Sequence, residues 1–383
     1  MLELRARRWS RMAVVATVLG VLSACQAPSP KVSEASNVHI RLTRGVCFGW
    51  CPAYAVDIAG DGAVTYEGFS SVAVSGRFQD RIAPAEVAAL VGMFERADFF
   101  SLKDEYIAEI TDSPFYKISL TVNGRTKSVT DYVGKIAGMP AVVMEIEDAI
   151  DRTAGTAKWV KGTPETIPML RRTGFDFRSD KAATFLADAL EIENYGYASD
   201  LILAGVPLDG RTSLQKRPAF ELLFPLAASS RSDLDRASLL FPPAASSRSD
   251  RERTSLLFSR AAAERGNRQN RSVALVIAAR LGDAALVRRL IALGVDSVVE
   301  DSQMGPYTAL HTASSVAIAR MLLRAGIDPD VSGPGMPKAV LVTESEDVAL
   351  MLAGRGLSGE TRTALIARAR EKSWTRLLAK LAA

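Results

Sequence analysis

A ten-residue segment occurs twice in the second half of the chain, and this repetition restricts the possible fold more than any other feature. Residues 287–296 read VRRLIALGVD and residues 319–328 read ARMLLRAGID, so that Gly294 and Gly326 are 32 residues apart. A spacing of this length is typical of repeats that each contain a pair of helices. One such pair cannot bury its apolar face alone and must stack on its neighbours. The repetition therefore predicts an all-α repeat solenoid over residues 181–383.

A second motif supports the same array. Thr308-Ala-Leu-His-Thr-Ala313 resembles the T-P-L-H-x-A start of ankyrin repeats, with Ala309 where that family has proline. A further glycine, Gly356, follows Gly326 after 30 residues, close to the ankyrin period of about 33. The resemblance implies an ankyrin-like solenoid in which Thr308, Leu310 and His311 are structural, and in which His311 bonds neighbouring backbone. It also implies an unidentified protein partner on the concave surface, because ankyrin arrays mostly bind proteins.

An insertion interrupts the predicted array at about residues 211–271. Segment 224–233 returns almost unchanged as segment 241–250, with a period of 17 residues. The insertion contains twelve Lys and Arg residues against six Asp and Glu. A basic tract rich in Ser, Ala and Pro is typical of a solvated insertion, and contact with anionic lipid headgroups is the alternative.

The first half of the chain has a different pattern, in which apolar and polar residues alternate in several short segments and so predict β-strands. Asp61-Gly62 and Asn123-Gly124 each separate two such segments and are typical of hairpin turns. Pro84 opens one predicted helix, and residues 139–150 form another. The pattern predicts an α+β domain over residues 38–160, made of antiparallel hairpins with two helices, and then a linker over residues 161–180.

Four segments of this domain resemble the bacterial domain of unknown function number 6438. They are RGVCFGWCPAY at residues 44–54, GDGAVTYEG at 60–68, ADFFSL at 97–102 and TDSPFY at 111–116. The resemblance extends over essentially the whole predicted domain and implies its boundaries. That family has no assigned chemistry, so the resemblance implies no activity.

The N-terminus predicts export and lipidation. Four arginines precede the apolar residues 12–22, a stretch too short to span a bilayer, and Leu22-Ser-Ala-Cys25 follows. This arrangement resembles the signal of bacterial lipoproteins, which implies removal of residues 1–24, acylation of Cys25, and a flexible tether over residues 25–37. By the same resemblance, Gln26 favours an anchor in the outer membrane facing the periplasm. A plain secretory signal and twin-arginine export are the alternatives.

Cys47 and Cys51 are the only other cysteines, and in an oxidising compartment such a pair is expected to form a disulfide. Redox-active pairs are usually spaced C-x-x-C at the start of a helix, whereas this pair is spaced C-x-x-x-C before Pro52, so a structural bridge is favoured. The alternative is a thiol redox or other enzymatic activity that uses the pair. Because the chain has only two histidines, no metal site is predicted.

Four carboxylates lie near the motif segments: Asp57, Asp61, Asp112 and Asp131. A paired-carboxylate mechanism would need two of them in one cleft, whereas turn and cap chemistry explains Asp61 and Asp112 and is the favoured interpretation. The sequence contains no recognisable nucleophile triad or phosphate-binding glycine loop. We therefore predict no catalytic residue and no cofactor.

Net charge gives no argument for a nucleic-acid partner. The formal charge of +4 falls to +1 when the four arginines and one glutamate of residues 1–24 are removed. The sequence thus predicts a non-enzymatic, periplasm-facing protein that binds a membrane through its lipid and a protein through its repeats. An immunity or envelope-stress role is a further alternative that rests on analogy of fold alone.

Overall fold

The computed structural model of the chain describes residues 37–223, 248–301 and 305–382. The predicted signal peptide, Cys25 and nearly all of the tether lie outside these residues, as does most of the duplicated basic segment. Among the helices of the described residues, none is long and apolar enough to cross a membrane.

The N-terminal domain contains a seven-stranded sheet with the spatial order β4-β3-β2-β1-β6-β7-β5. Its strands are His39–Arg44 (β1), Ala53–Ala59 (β2), Ala63–Ser70 (β3), Gly76–Arg81 (β4), Glu105–Ile107 (β5), Tyr116–Val122 (β6) and Arg125–Tyr132 (β7). All neighbours are antiparallel except β5 and β7, which are parallel. The turns predicted at Asp61-Gly62 and Asn123-Gly124 connect β2 to β3 and β6 to β7.

One face of this sheet is apolar because its residues alternate in register across the central strands. Leu42 of β1 lies opposite Val56 of β2 on one side and Ile118 of β6 on the other, and all three are fully buried. Two helices, Pro84–Arg96 (α1) and Ala141–Ala154 (α2), bury apolar side chains at helical spacing. The predicted α+β character of this domain is confirmed.

The segment predicted as a linker, residues 161–180, is instead packed into the structure. It follows a short helix, Ala157–Val160 (α3), and contains Thr166–Arg172 (α4). The indole of Trp159 stacks on Tyr66 with ring centroids 4.8 Å apart, and its Nε1 donates to Sδ of Met169 at 3.2 Å. The apolar core therefore continues from the sheet into the helices that follow.

The remainder of the described chain is mainly helical, as predicted. Its helices are Asp180–Glu191 (α5), Tyr195–Ala204 (α6), Arg248–Arg265 (α7), Arg268–Leu281 (α8), Ala284–Ala292 (α9), Val316–Arg324 (α10), Ala339–Val342 (α11), Glu346–Ala353 (α12), Gly359–Glu371 (α13) and Thr375–Ala382 (α14). A two-stranded hairpin, Val299–Asp301 (β8) with Gly305–Tyr307 (β9), stands between α9 and a 3₁₀ helix, Ala309–Thr312.

The predicted insertion is only partly an excursion from the array. Helix α7 lies within its predicted bounds, yet Phe258 and Ala262 of this helix are fully buried, and the helix packs between α6 and α8. The basic count over residues 211–271 therefore includes a helix of the array itself, and two of its arginines contact the neighbouring helices: Arg251 pairs with Glu193, and Arg265 donates to the carbonyl of Ile202. Residues 224–247 lie outside the described part of the chain.

Candidate functional site

Two loops of the N-terminal domain lie side by side at one end of the sheet and present apolar side chains to solvent. The loop of residues 45–52 joins β1 to β2, and the loop of residues 108–115 joins β5 to β6. The backbone N–H of Gly45 donates to the carbonyl of Phe115 at 2.8 Å, and that of Phe48 donates to the carbonyl of Asp112 at 3.3 Å. We call the exposed side chains of these loops the apolar tip; with their exposed fractions they are Val46 (61%), Phe48 (89%), Ile110 (42%) and Phe115 (41%).

Gly45 leaves room for the ring of Phe115 against the first loop. A Cβ atom on Gly45 would lie 2.2 Å from that ring, so a larger residue there would displace the Phe115 side chain. The sulfur atoms of Cys47 and Cys51 lie at disulfide-bonding distance, with their Cα atoms 5.6 Å apart, as expected for a bridge. Neither cysteine lies at the start of a helix, because the loop connects two strands. This geometry favours the structural interpretation of the pair.

Both stems of the cysteine-containing loop are held by one carboxylate. Arg44 and Tyr54, which flank the loop, lie opposite each other in the β1–β2 ladder. Nε of Arg44 and the hydroxyl of Tyr54 each donate to Asp151 of α2 at 2.8 Å. The hydroxyl of Thr156 donates to the same carboxylate, also at 2.8 Å, and the guanidinium of Arg44 lies 4.5 Å from the ring centroid of Tyr116. We call Arg44, Tyr54, Thr156 and Asp151 the base of the apolar tip. Their hydrogen bonds hold together the two strand ends that carry the cysteine-containing loop.

Electrostatics within this base keep its groups in fixed protonation states. Burial opposes the charge of Arg44, but the charge and hydrogen bond of Asp151, together with the charges of Tyr54 and Glu147, outweigh burial and raise the pKa of Arg44. Burial, together with the negative charge of Asp151, raises the pKa of Tyr54. At neutral pH the base is thus a neutral phenol and a guanidinium bonded to one acceptor, an arrangement suited to structural support.

Glu147 is a buried acid that the sequence analysis missed. Its side chain is 3% exposed, and in the described part of the chain its Oε1 has no hydrogen-bond partner. Burial, and then the nearby carboxylate of Asp131, raise the pKa of Glu147 to about 8. The signal was available in the sequence, because Glu147 follows Val143 by four residues and precedes Ile150 by three, which places it on the apolar side of α2. Because it is buried, it does not face a substrate.

The four predicted carboxylates are not brought together. Asp57 pairs with His39 at 3.1 Å and Arg41 at 2.5 Å on the sheet. Asp61 accepts the backbone N–H of Ala63 in the hairpin turn at 3.0 Å. Asp112 lies in the loop beside Phe48, and Asp131 is buried and accepts the N–H of Gly134 at 2.6 Å. These separate environments match turn and structural chemistry rather than a paired-carboxylate mechanism.

Thr308, Leu310 and His311 lie in the packed interior of the array, whereas Gly294 and Gly326 are exposed at the ends of helices. Nδ1 of His311 lies 3.1 Å from both the backbone nitrogen and the hydroxyl of Thr308, so the predicted bond to neighbouring backbone is present. Burial lowers the pKa of His311. Leu310 is fully buried, and Gly294 and Gly326 end the turns after α9 and α10 at φ values of 68° and 83°, which favour glycine.

No group of three or more His, Cys, Asp or Glu side chains in the described residues could hold a metal ion. The structure therefore adds no metal ligands to the sequence analysis. Of the twelve large apolar side chains that are exposed in the described residues, four lie together in the apolar tip, and Phe48 is the most exposed of the twelve.

The comparisons support the identity of the N-terminal domain alone. Residues 38–154 match the model of the family described as Domain of unknown function (DUF6438). The match begins just before β1 and ends with α2, so it contains both loops of the apolar tip and the whole seven-stranded sheet. A search of curated proteins found no match to the chain.

Proposed function

We propose that this chain is a lipid-anchored, periplasm-facing binding protein of the cell envelope, without catalytic activity, that docks a protein partner through its apolar tip and its helical array. The observation that carries this proposal is the exposure of four apolar side chains on a base braced by Asp151. Exposed apolar patches with rigid support are typical of interaction sites, since a preorganised surface loses little entropy when it binds.

The anchor is inferred from the sequence around Cys25. Two or three acyl chains on that cysteine would hold the chain firmly at a membrane. Residues 26–37 would then span at most roughly 40 Å when extended, which leaves the folded part within reach of partners at the membrane surface. The paired sulfurs of Cys47 and Cys51 agree with an oxidising compartment.

The array is interpreted as a degenerate ankyrin-like solenoid. In favour are the repeat spacing, the Thr308–His311 contact, the left-handed glycines after α9 and α10, and the β8–β9 hairpin between successive helix pairs. The units are uneven, because the first helix of one unit is reduced to the 3₁₀ helix Ala309–Thr312 and that of the next to α11, which has four residues. We therefore interpret the repeats as degenerate in their first helices, which are shortened to four residues in these two units.

The partner at the apolar tip is expected to be a protein rather than the bilayer. The two loops carry two acidic residues, Glu109 and Asp112, and no basic residue. An acidic rim around apolar side chains is repelled by anionic lipid headgroups and complements basic residues around an apolar protein surface. Phe48 and Phe115 would act as the aromatic anchors of such an interface.

Site-specific crosslinking tests this proposal. A photoreactive phenylalanine analogue at position 48 should give a discrete adduct in the envelope, whereas the same analogue at Met144, an exposed residue of α2 outside the tip and the array, should not. Added mature protein should compete for the adduct, its Met144→Ser variant should compete equally, and its Val46→Ser/Phe48→Ser variant should fail. Equal adducts at both positions, or competition by the double-serine variant, would contradict docking at the tip.

The anchor is tested separately. Mass spectrometry of the N-terminal peptide should find acylated Cys25, and a Cys25→Ser variant should be released from membranes. An intact N-terminus starting at Met1 in a soluble chain would refute the envelope location. The Cys25→Ser chain could instead bind anionic vesicles. If adding Phe48→Ser to this chain abolishes that binding, the tip contacts lipid rather than protein.

A further inference from the structure

The outer surface of the array contains a shallow groove lined by arginines. Arg320, Leu323 and Arg324 of α10 form one side, and Met351 and Arg355, at the end of α12, form the other. We call these five residues the arginine groove; it encloses about 310 Å³. Its floor is apolar, because Leu323 and Met351 are half-buried, while the three arginines at its edge are exposed.

The arginines of the groove differ from a group of paired basic residues near the end of the same array. Arg368 and Lys372 are bonded to Glu344, and Arg376 is bonded to Glu346 and Asp347. In the described parts of the chain, by contrast, no acidic side chain lies within ion-pair distance of the arginines of the groove, and they make no side-chain hydrogen bond. Several guanidinium groups gathered without partners leave their donors available to a ligand.

The helix stacking explains why these arginines are together. Arg320 and Arg324 are one turn apart on α10, so they share a face of that helix. Gly356, at a φ of 101°, turns the chain directly after Arg355 and places this arginine at the end of α12. Arg288 of α9 occupies the position equivalent to Arg320 in the repeated segment, and α9 packs on α10, so the positive surface continues onto the neighbouring unit.

We propose that the arginine groove binds a short acidic segment of a protein, with carboxylates on the arginines and one apolar side chain on Leu323 and Met351. Guanidinium groups bind carboxylates through paired hydrogen bonds, which gives this ligand class its fit. A flat lipid surface could reach the arginines but could not enter the groove to contact its floor. The inference rests on the proposed role as a partner-binding protein and names the chemistry of that partner.

The test measures binding of a defined probe to the mature chain. The probe is a fluorescein-labelled peptide of about 12 residues in which leucines are spaced among glutamates, and its control has glutamine for every glutamate. We expect a saturable rise in anisotropy for the acidic peptide alone, which weakens as salt is raised. Arg320→Glu/Arg324→Glu should weaken binding by roughly tenfold or more.

The matched control is Arg152→Glu/Arg178→Glu, which changes net charge equally at two exposed arginines outside the groove. It should bind the acidic peptide like the parent. Arg320→Gln/Arg324→Gln, with circular dichroism of every variant, separates loss of the groove from loss of folding. Equal weakening by the two glutamate variants, or equal binding of the glutamine peptide, would overturn the proposal.

Anionic phosphatidylglycerol vesicles form the second arm. If the Cys25→Ser chain binds these vesicles through Arg320 and Arg324 and does not bind the peptide, the groove contacts a membrane and the proposal fails. Because the peptide does not involve the apolar tip, crosslinking at position 48 is judged separately. Loss of that crosslink with peptide binding intact would refute docking at the tip while the groove stands.

Discussion

The two halves of this protein distribute charge and apolar surface in opposite ways. In the N-terminal domain, charges such as Arg44 and Asp151 are bonded to each other beneath the loops, while Phe48 and its neighbours are exposed. In the array, the large apolar side chains are mostly inside, while Arg320, Arg324 and Arg355 stand on the surface. The comparison teaches that the first half uses paired polar groups to hold an exposed apolar surface, whereas the second half buries its apolar groups and exposes unpaired arginines.

The strongest way to break this comparison is to remove the carboxylate at the centre of the base. Asp151→Ala leaves the mostly buried guanidinium of Arg44 and the hydroxyls of Tyr54 and Thr156 without their acceptor. We expect the free energy of unfolding, measured by urea titration, to fall by about 3 kcal/mol.

Asp148 provides the control on the same helix. Its carboxylate is 65% exposed and lies 3.4 Å from Arg44, so Asp148→Ala should cost no more than about 0.5 kcal/mol. If the two alanine variants are equally stable, the base does not support the apolar tip. The proposed difference between the two halves would then be wrong for the N-terminal domain.

Glu147 gives a pH-dependent prediction. In the unfolded chain its carboxyl ionises near 4.5, and in the folded chain burial raises this pKa to about 8. Between these values the folded state holds a proton that the unfolded state has lost, so the contribution of Glu147 to stability falls as pH rises through this window. Glu147→Gln should therefore have little effect near pH 4 and stabilise the chain by about 2–5 kcal/mol near pH 9, the upper figure being the full value of the pKa difference.

The comparison variant is Glu145→Gln, which alters an exposed glutamate of the same helix and should leave the pH profile unchanged. Urea titrations at several pH values provide the measurement. A Glu147→Gln effect that is the same at both ends of the pH range would show that the carboxyl ionises normally in the folded chain.

We expect the bridge between the two cysteines to keep the apolar tip ordered more than it stabilises the whole domain. A crosslink that closes only five residues removes little entropy from the unfolded chain. Cys47→Ser/Cys51→Ser should therefore lower the unfolding free energy by about 1–2 kcal/mol. The same variant should weaken the adduct formed at position 48, because the loop that carries Phe48 is then less ordered. If crosslinking and stability both stay at the parent level, the bridge contributes nothing to the surface.

Local patterns predicted the elements of both halves, but not what lies at their ends. The turns at Asp61-Gly62 and Asn123-Gly124, and the repeated segments around Gly294 and Gly326, are encoded within a few residues, and the structure places hairpins and helix ends at them. Cys47 and Cys51 were singled out as a pair, whereas the exposure of Phe48 and Phe115 was missed. Exposure depends on which loop lies beside which, and strand order sets that.

The base and the groove illustrate the same limit for charged residues. Arg44 and Asp151 are more than a hundred residues apart, so their ion pair follows from the packing of α2 against the sheet and not from any local spacing. The packing of residues 161–180 has a related cause, since Met169 of α4 is buried where it contacts Trp159, and the spacing of apolar residues does not show that contact. Unpaired arginines are a property of their surroundings, which sequence alone does not give.

The smallest expected effect sharpens the comparison from the side of the array. Arg320→Gln/Arg324→Gln should change the unfolding free energy by less than about 0.5 kcal/mol, because these side chains hold nothing in the described chain. Arg368→Gln should cost about 1 kcal/mol, since Arg368 donates to the carbonyls of Val342 and Thr343 and to Glu344. Urea titration of both variants distinguishes exposed arginines that do not stabilise the array from an arginine that does. A large loss in the first variant would mean that the groove arginines stabilise the fold, and the contrast with the N-terminal domain would disappear.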